Sequence, residues 1–149
     1  MTSGAAQTAA APADTVLVVD HEVLVRMVIA AYLRDCGYRV IEAANGDEAR
    51  VVLDEGQARI SVVLADIQAP SGRPTPAPTE PGDGNGFGLA RWVRERHPGV
   101  AVILAGSPAR AAEAAGELCQ KGPMLAKPYE PQVVVDRIRR LLARRLPPR

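Results

Sequence analysis

VVLADIQAP, residues 62–70, joins an apolar run to a single carboxylate, that of Asp66. An unbroken run of residues with strand preference is typical of a strand in a parallel sheet, where both faces are buried. In open α/β sheets, ligands bind in the crevice at the carboxyl ends of the strands. We therefore expect Asp66 to lie at the ligand-binding edge of a sheet.

Two other segments also end an apolar run with a charged side chain. VLVVDHE, residues 16–22, leads to Asp20. MLAKPY, residues 124–129, leads to Lys127. Carboxylates that converge repel one another unless a cation lies between them, and Mg²⁺ prefers oxygen ligands. If the three strands are neighbours, the residues predict a magnesium site in which Asp66 could accept a phosphoryl group as an acyl phosphate.

Predicted strands and helices alternate along the chain. The strands are 15–19, 38–43, 60–65, 100–105 and 123–126, and the helices are 22–36, 47–55, 86–97, 109–118 and 131–145. Alternation of this kind predicts an α/β fold with a doubly wound parallel sheet of five strands, covered by helices on both faces. The first helix is predicted from two adjacent apolar rows at helical spacing. The rows are Val23, Met27 and Ala30 or Ala31, and Leu24, Val28 and Ala31.

The ends of the chain and one internal segment lack such patterns. Residues 1–14 are rich in alanine and have no basic segment, so we expect a disordered tail and no signal peptide. Residues 71–85 are rich in proline and glycine, which excludes a helix or a central strand. We expect one domain, 15–146, with 71–85 as an insertion and 147–149 as a second tail. The insertion is an inert linker by the base rate for long loops, with a docking segment as the alternative.

Composition excludes several classes of function. The formal net charge is +1, so no general surface for a polyanion is expected. The arginines of the last predicted helix are interpreted as its solvated face, and nucleic acid is not expected as a partner. Cys36 and Cys119 fit no spacing of metal ligands and are interpreted as reduced thiols of a cytoplasmic protein. No apolar run approaches the roughly 20 residues that span a bilayer, so no membrane partner is expected.

Three motifs resemble the receiver domain of two-component response regulators. They are VLVVD at 16–20, LADIQAP at 64–70 and AKPY at 126–129, and their order and separations also match. The Asn45-Gly46 turn and the segment GFGL at 86–89 are similar to that family as well. The resemblance covers nearly the whole predicted domain. It implies a flavodoxin-like receiver fold, whose five parallel strands have the order 2-1-3-4-5.

The resemblance also implies roles for individual residues. Asp66 would be the phosphoacceptor, and Lys127 would contact the phosphoryl group. Asp20 would bind Mg²⁺ together with Asp66, and the backbone carbonyl of Gln68 would be a further metal ligand. The phosphoryl donor would be a histidine kinase or a histidine phosphotransfer protein.

The sequence departs from the family pattern at the site itself. Receivers carry two adjacent acids after the first strand, whereas Asp20 is followed by His21 and then Glu22. An imidazole is a poorer Mg²⁺ ligand than a carboxylate, so we expect either weak binding or partial substitution by Glu22. The fourth strand ends at Gly106, where the family has a threonine or serine, and Ser107 is the candidate for the missing hydroxyl. Met124 stands where many receivers have an aromatic residue.

The favoured interpretation is a single-domain response regulator that is phosphorylated on Asp66. We expect no output domain after the last predicted helix, so signalling would proceed by protein–protein contact or by passing the phosphoryl group on. Such a protein catalyses only its own phosphorylation and hydrolysis and is not otherwise an enzyme. The alternative is a pseudo-receiver, a binding module with weak or absent phosphorylation because of His21, Gly106 and Met124. A phosphatase of related topology is disfavoured because a second acid does not follow Asp66 closely.

Overall fold

The computed structural model describes residues 14–68, 86–106 and 125–144. Within these ranges the strands are β1 (Thr15–Val19), β2 (Arg39–Ala43), β3 (Ile60–Asp66), β4 (Ala101–Gly106) and β5 (Leu125–Ala126). The helices are α1 (Val23–Asp35), α2 (Gly46–Glu55), α3 (Gly86–Arg96) and α4 (Pro131–Ala143). The predicted helix 109–118, the insertion 71–85, Ser107, Cys119 and Met124 lie outside the described residues.

The strands form one parallel sheet in the order β2-β1-β3-β4-β5, which confirms the predicted topology. The predicted boundaries agree with the observed ones to within one or two residues for the described elements. No helix among the described residues combines the length and the apolar composition that crossing a membrane requires.

The two faces of the sheet carry separate hydrophobic layers. On β1 and β3, alternate side chains point to opposite faces, and both faces are covered by helices. One layer joins Leu17, Val19, Val63 and Ala65 to buried residues of α2 and α3. The other joins Val16, Val18, Val62 and Leu64 to buried residues of α1 and α4. This burial on both sides is why the two central strands are continuously apolar in sequence.

The start and end of α2 follow from its sequence. The side chain of Asn45 accepts a hydrogen bond from the backbone N–H of Glu48 at 2.9 Å, and the Glu48 carboxylate accepts one from the N–H of Ala44 at 3.0 Å. The first bond satisfies a donor that the first helical turn leaves free, and the second fixes the residue before the N-cap. Gly56 ends the helix in the left-handed conformation, with φ of 66°.

Helix α1 buries a different face from the one that its apolar rows suggest. Its buried residues are Ile29, Ala30 and Leu33. Of the apolar rows predicted from helical spacing, only Ala30 is fully buried, and the largest members lie in solvent. Their exposed fractions are 53% for Val23, 76% for Leu24, 55% for Met27 and 62% for Val28. Because α1 has more apolar residues than one stripe can hold, spacing alone does not decide which of them meet the sheet.

Candidate functional site

The register of the sheet brings three charged residues to one edge. Val19 pairs with Ala65, so Asp20 and Asp66, which follow them, end β1 and β3 at the same level. Asp66 pairs with Ala105 of β4. Gly106, the next residue of β4, pairs with the last residue of β5, and its carbonyl accepts a hydrogen bond of 2.8 Å from the N–H of Lys127. The carboxyl edge of the sheet therefore presents two acids and an ammonium.

The side chains of Asp20, Asp66 and Lys127 meet within hydrogen-bond and ion-pair distance. The Nζ of Lys127 lies 2.7 Å from Oδ2 of Asp20 and 3.3 Å from Oδ2 of Asp66. The exposed fractions of the two carboxylate side chains are 4% and 2%. Buried charges need a partner of opposite sign, and Lys127 lies between the two acids.

Backbone groups hold the two carboxylates in place. The N–H of Glu22 donates to Oδ1 of Asp20 at 2.9 Å, and the N–H of Gln68 donates to Oδ1 of Asp66 at 3.0 Å. Oδ2 of Asp66 is buried and accepts no hydrogen bond from the described residues. The ammonium of Lys127, 3.3 Å away, offsets the charge of this oxygen, but no group among the described residues donates a hydrogen bond to it, and a ligand could satisfy it. This oxygen is therefore the atom of the site best placed to bind an incoming group.

His21 lies in the site, whereas in the sequence it marks only a departure from the family pattern. Its Nδ1 is 3.2 Å from Oδ2 of Asp66 and 3.9 Å from Oδ1 of Asp20. One donor atom from each of these three residues lies within 4.8 Å of the others. Its position directly after Asp20 was the only signal in the sequence that could have placed it there.

Glu22 lies to one side of this group. Its side chain is 54% exposed, and its Oε1 is 3.7 Å from Nζ of Lys127. Glu22 was predicted to substitute in part for the missing second acid. Its carboxylate faces Lys127 and lies outside the group formed by Asp20, His21 and Asp66.

Arg26 is a contributor that the sequence analysis missed. Its guanidinium donates a 2.8 Å hydrogen bond to the backbone carbonyl of Asp20 and pairs with Glu42 of β2 at 3.2 Å. The side chain therefore ties the end of β1 to the neighbouring strand from one turn inside α1. No motif in the sequence indicates this contact.

Gly86 is the second residue whose role the sequence did not indicate. It allows the start of α3 to approach the backbone after β3 closely. Its N–H donates to the carbonyl of Ile67 at 3.0 Å. A Cβ atom at this position would collide with the backbone carbonyl of Asp66 and would lie only 2.7 Å from Cα of Ile67. Helix α3 can begin against the turn that follows Asp66 only because residue 86 has no side chain.

The ammonium of Lys127 is held in its charged form. Burial acts to lower the pKa of Lys127, but the hydrogen bond to Asp20 and the negative charges of Asp66 and Asp20 more than offset it. The pKa of Lys127 therefore lies above its ordinary value of 10.5. A full positive charge stands beside Oδ2 of Asp66 over the whole physiological range.

Tyr129 provides a titration that reports on the same edge. Burial raises the pKa of Tyr129 to about 12, against the opposing effect of the Lys127 charge. We expect one of the three tyrosines to ionise near pH 12, measured by tyrosinate absorbance, and Tyr129→Phe to remove that step. The neutral phenol contributes stability that is complete below pH 10.0 and is lost as the pH rises to about 12. Tyr38→Phe is the control and should keep the late step; a wild-type titration without it contradicts the assignment.

Comparison with known proteins identifies the family. A profile described as the response regulator receiver domain matches residues 16–139. This chain belongs to the receiver domain family. The matched range includes Asp20, Asp66 and Lys127, the three charged residues that meet at the carboxyl edge of the sheet.

Individual relatives agree with this assignment. The transcriptional regulatory protein ResD of Bacillus subtilis (strain 168) is 28% identical over 129 residues, which cover 87% of this chain and 48% of ResD. A receiver domain protein from Clostridium thermocellum matches with a TM-score of 0.72 at 22% identity, covering 88% of this chain and 95% of that protein. A receiver protein from Sinorhizobium medicae WSM419 matches with a TM-score of 0.69 at 26% identity, covering 90% and 98%. The receiver chain spans about half the length of the curated relatives that it matches.

Membership has general consequences for the site. Receiver domains are signalling modules of two-component systems and not classical enzymes. They interact with histidine kinases or phosphotransfer proteins and with downstream targets, and they generally bind Mg²⁺ in an acidic pocket. The residues of this receiver fit a divalent cation, because Oδ2 of Asp66 is buried without a hydrogen-bond partner among the described residues and two further donors lie beside it.

Proposed function

We propose that this receiver domain accepts a phosphoryl group on Asp66 and acts as a response regulator. The observation that carries the proposal is Oδ2 of Asp66, which is buried, accepts no hydrogen bond from the described residues and lies 3.3 Å from the ammonium of Lys127. A carboxylate oxygen in this position can act as a nucleophile and form an acyl phosphate. The ammonium of Lys127 would then lie beside the phosphoryl group.

Asp66, Lys127 and Gln68 have different roles in phosphoryl transfer. Oδ2 of Asp66 attacks phosphorus while the bond from phosphorus to the donor breaks, and the electron pair of that bond leaves with the donor. Lys127 offsets the charge on the phosphoryl oxygens in the loose transition state. The hydrogen bond from the N–H of Gln68 fixes Oδ1 of Asp66 and so orients Oδ2. Orientation of the nucleophile supplies much of the rate in reactions of this kind.

A divalent cation completes the charge balance of the site. Asp20, Asp66 and the backbone carbonyl of Gln68 would hold it, and when bound it supplies positive charge opposite the transferred group. Ser107, which directly follows Gly106 in sequence, is proposed to provide the hydroxyl that the end of β4 lacks. Phosphorylation then signals as a local change of charge that biases the surface presented to a partner.

A small acyl phosphate donor tests the proposal directly. The wild-type chain, incubated with the donor and a divalent cation, should gain the mass of one phosphoryl group in intact mass spectrometry. Asp66→Asn removes the nucleophile and should abolish the gain, because an amide does not form an acyl phosphate. Asp35→Asn, at an exposed position of α1, is the control and should be modified as fast as wild type.

The second candidate is a pseudo-receiver that binds partners without being phosphorylated. Two observations favour it: Nδ1 of His21 lies 3.2 Å from Oδ2 of Asp66, and β4 ends at Gly106, which has no hydroxyl. Absence of any mass gain in the wild-type chain, with each cation tried, supports the pseudo-receiver. A gain that persists in Asp66→Asn contradicts both candidates.

The donor is proposed to be a histidine kinase or a histidine phosphotransfer protein that docks on α1. The exposed residues Leu24 and Val28 of α1 border a groove of about 580 Å³ that reaches Asp66, Lys127 and Tyr129. We propose that a phosphohistidine approaches Asp66 through this opening and that the protein that carries it covers Leu24 and Val28. Exposed apolar surface beside a reactive group is what a protein donor needs and a small donor does not.

If a protein donor docks on α1, a substitution there should slow transfer from a protein donor but not from a small donor. Leu24→Glu should slow transfer from a phosphorylated protein donor by about tenfold or more, because a leucine buried on docking contributes about 1.5–3 kcal/mol. Phosphorylation by the small acyl phosphate should not change. Val51→Glu is the matched control, since Val51 of α2 is 54% exposed on the opposite side of the sheet. Equal slowing by both variants, or none by Leu24→Glu, places the docking surface elsewhere.

A further inference from the structure

We infer that this site prefers a late first-row divalent ion, of the Ni²⁺ type, to Mg²⁺, and that the imidazole of His21 is one of its ligands beside Asp20 and Asp66. The inference deepens the proposed function, on which it rests for the purpose of the ion. Binding itself requires no phosphoryl group, so it can be measured separately.

The distances within the group suit a shared ion. Two donors bonded to the same ion at about 2.1 Å lie between about 3.0 Å and 4.2 Å apart, for adjacent and opposite positions respectively. Nδ1 of His21 is 3.2 Å from Oδ2 of Asp66 and 3.9 Å from Oδ1 of Asp20, and both separations fall in this interval. The group as a whole lies within 4.8 Å, so a small contraction would close it around an ion.

The buried oxygen of Asp66 points to a ligand independently of these distances. Its side chain is only 2% exposed, and its Oδ2 accepts no hydrogen bond from the residues that the structure describes. The imidazole nitrogen faces this oxygen from the turn that follows the neighbouring strand β1. Before phosphorylation, a cation bound by both atoms would satisfy the oxygen and use the nitrogen lone pair at once, and phosphoryl transfer to Asp66 would require this oxygen to leave the ion.

Charge and ligand type then decide which ion is preferred. Beside Lys127, the buried acids Asp20 and Asp66 leave one net negative charge, because His21 contributes a neutral ligand where an acid would contribute another. Mg²⁺ depends on charged oxygen ligands and gives up its waters reluctantly, so it loses most from this exchange. Ni²⁺, Zn²⁺ and Cu²⁺ bond well to imidazole nitrogen, and this bond offsets the binding free energy that is lost with the missing negative charge.

Calorimetric titration of the full chain with Ni²⁺ and with Mg²⁺, without phosphodonor, tests the inference. The wild-type chain should bind Ni²⁺ more tightly, and His21→Asp should reduce the ratio of the Ni²⁺ to the Mg²⁺ association constant by about tenfold or more. His97→Asn is the matched control, because His97 is the second of the two histidines in the sequence and pairs with Asp54. Its ratio should equal that of wild type.

Bound Cu²⁺ gives a second readout that does not depend on affinity. Its electron paramagnetic resonance spectrum should show splitting from an imidazole nitrogen in wild type and in His97→Asn, and should lose it in His21→Asp. An unchanged affinity ratio in His21→Asp, or nitrogen splitting that His97→Asn removes instead, overturns the inference. Thermal melting of each variant without metal shows that it is folded.

The outcomes for the ion and for phosphorylation are distinguishable. Loss of the Ni²⁺ preference in His21→Asp without any phosphorylation of Asp66 supports the ion site and rejects the phosphoacceptor. Phosphorylation of Asp66 with a ratio that His21→Asp leaves unchanged supports the phosphoacceptor and rejects His21 as a ligand.

Discussion

Lys127→Met is expected to lower the free energy of unfolding by about 3 kcal/mol at neutral pH, the lower end of the range for breaking a buried ion pair. Nζ of Lys127 lies 2.7 Å from Asp20 and 3.3 Å from Asp66, whose side chains are almost fully buried. Methionine keeps most of the volume of the lysine stem but removes its charge. The two carboxylates would then face each other in a partly desolvated site without that cation, which is the costly step. Urea unfolding at neutral pH measures the loss.

The pH dependence of this difference has a definite sign. The negative charges around Lys127 raise its pKa above 10.5 in spite of burial, so the folded state holds the proton more tightly than the unfolded chain does. The contribution of Lys127 to stability is therefore complete below pH 10.5 and is lost as the pH rises through the raised value. The gap between wild type and Lys127→Met should narrow at alkaline pH.

Two further variants show whether the loss belongs to the ion pair. Arg139→Met, at an exposed position of α4, removes a cation that has no acid of this site beside it and should change stability little. Asp20→Asn should recover part of the loss when combined with Lys127→Met, because it removes one of the two stranded charges. A loss of similar size in Arg139→Met, or a double variant that is less stable than Lys127→Met, contradicts the account.

Much of the architecture could be read from the strand sequences. The continuous apolar runs that end at Asp20 and Asp66 predict central parallel strands, and the alternation with helices limits how they can be wound. Parallel strands carry their carboxyl ends to one edge, so residues far apart in sequence could be expected to meet there. The observed pairing of Val19 with Ala65 and of Gly106 with Ala126 matches that expectation.

The face that α1 buries could not be read in the same way. Helical spacing groups Val23 with Met27 and Leu24 with Val28, and it groups Ile29 with Leu33 equally well. Which row meets the sheet depends on the angle at which the chain leaves β1, and the turn through Asp20, His21 and Glu22 fixes that angle. Both of the first two rows are exposed, and the row of Leu24 and Val28 borders the groove leading to Asp66.

The contacts of His21 and of Gly86 could not be predicted for a related reason. His21 follows β1, and its imidazole reaches Asp66 only because the N–H of Glu22 bonds to Asp20 and turns the chain. Gly86 follows the insertion, and its role depends on the distance between α3 and the turn after β3. Both depend on backbone paths between elements, which composition and spacing do not determine.

Gly86→Ala is expected to lower the free energy of unfolding by about 1–3 kcal/mol, although alanine is the better helix former. The gain from helix propensity is at most about 1 kcal/mol and is smaller at the first residue of a helix. The loss arises because the added Cβ would meet the carbonyl of Asp66 and Cα of Ile67, which are backbone atoms that cannot rotate away. Either α3 or the turn after Asp66 must move, so phosphorylation of Asp66 by a small donor should slow as well.

Gly99→Ala is the control that isolates the close approach. A Cβ atom at Gly99 would have no heavy atom within 4 Å, so the same substitution there should leave stability and phosphorylation nearly unchanged. Chemical unfolding measures the first quantity, and the rate of mass gain with the acyl phosphate measures the second. If Gly86→Ala were as stable and as rapidly modified as Gly99→Ala, the contact between α3 and the Asp66 turn would not constrain the site.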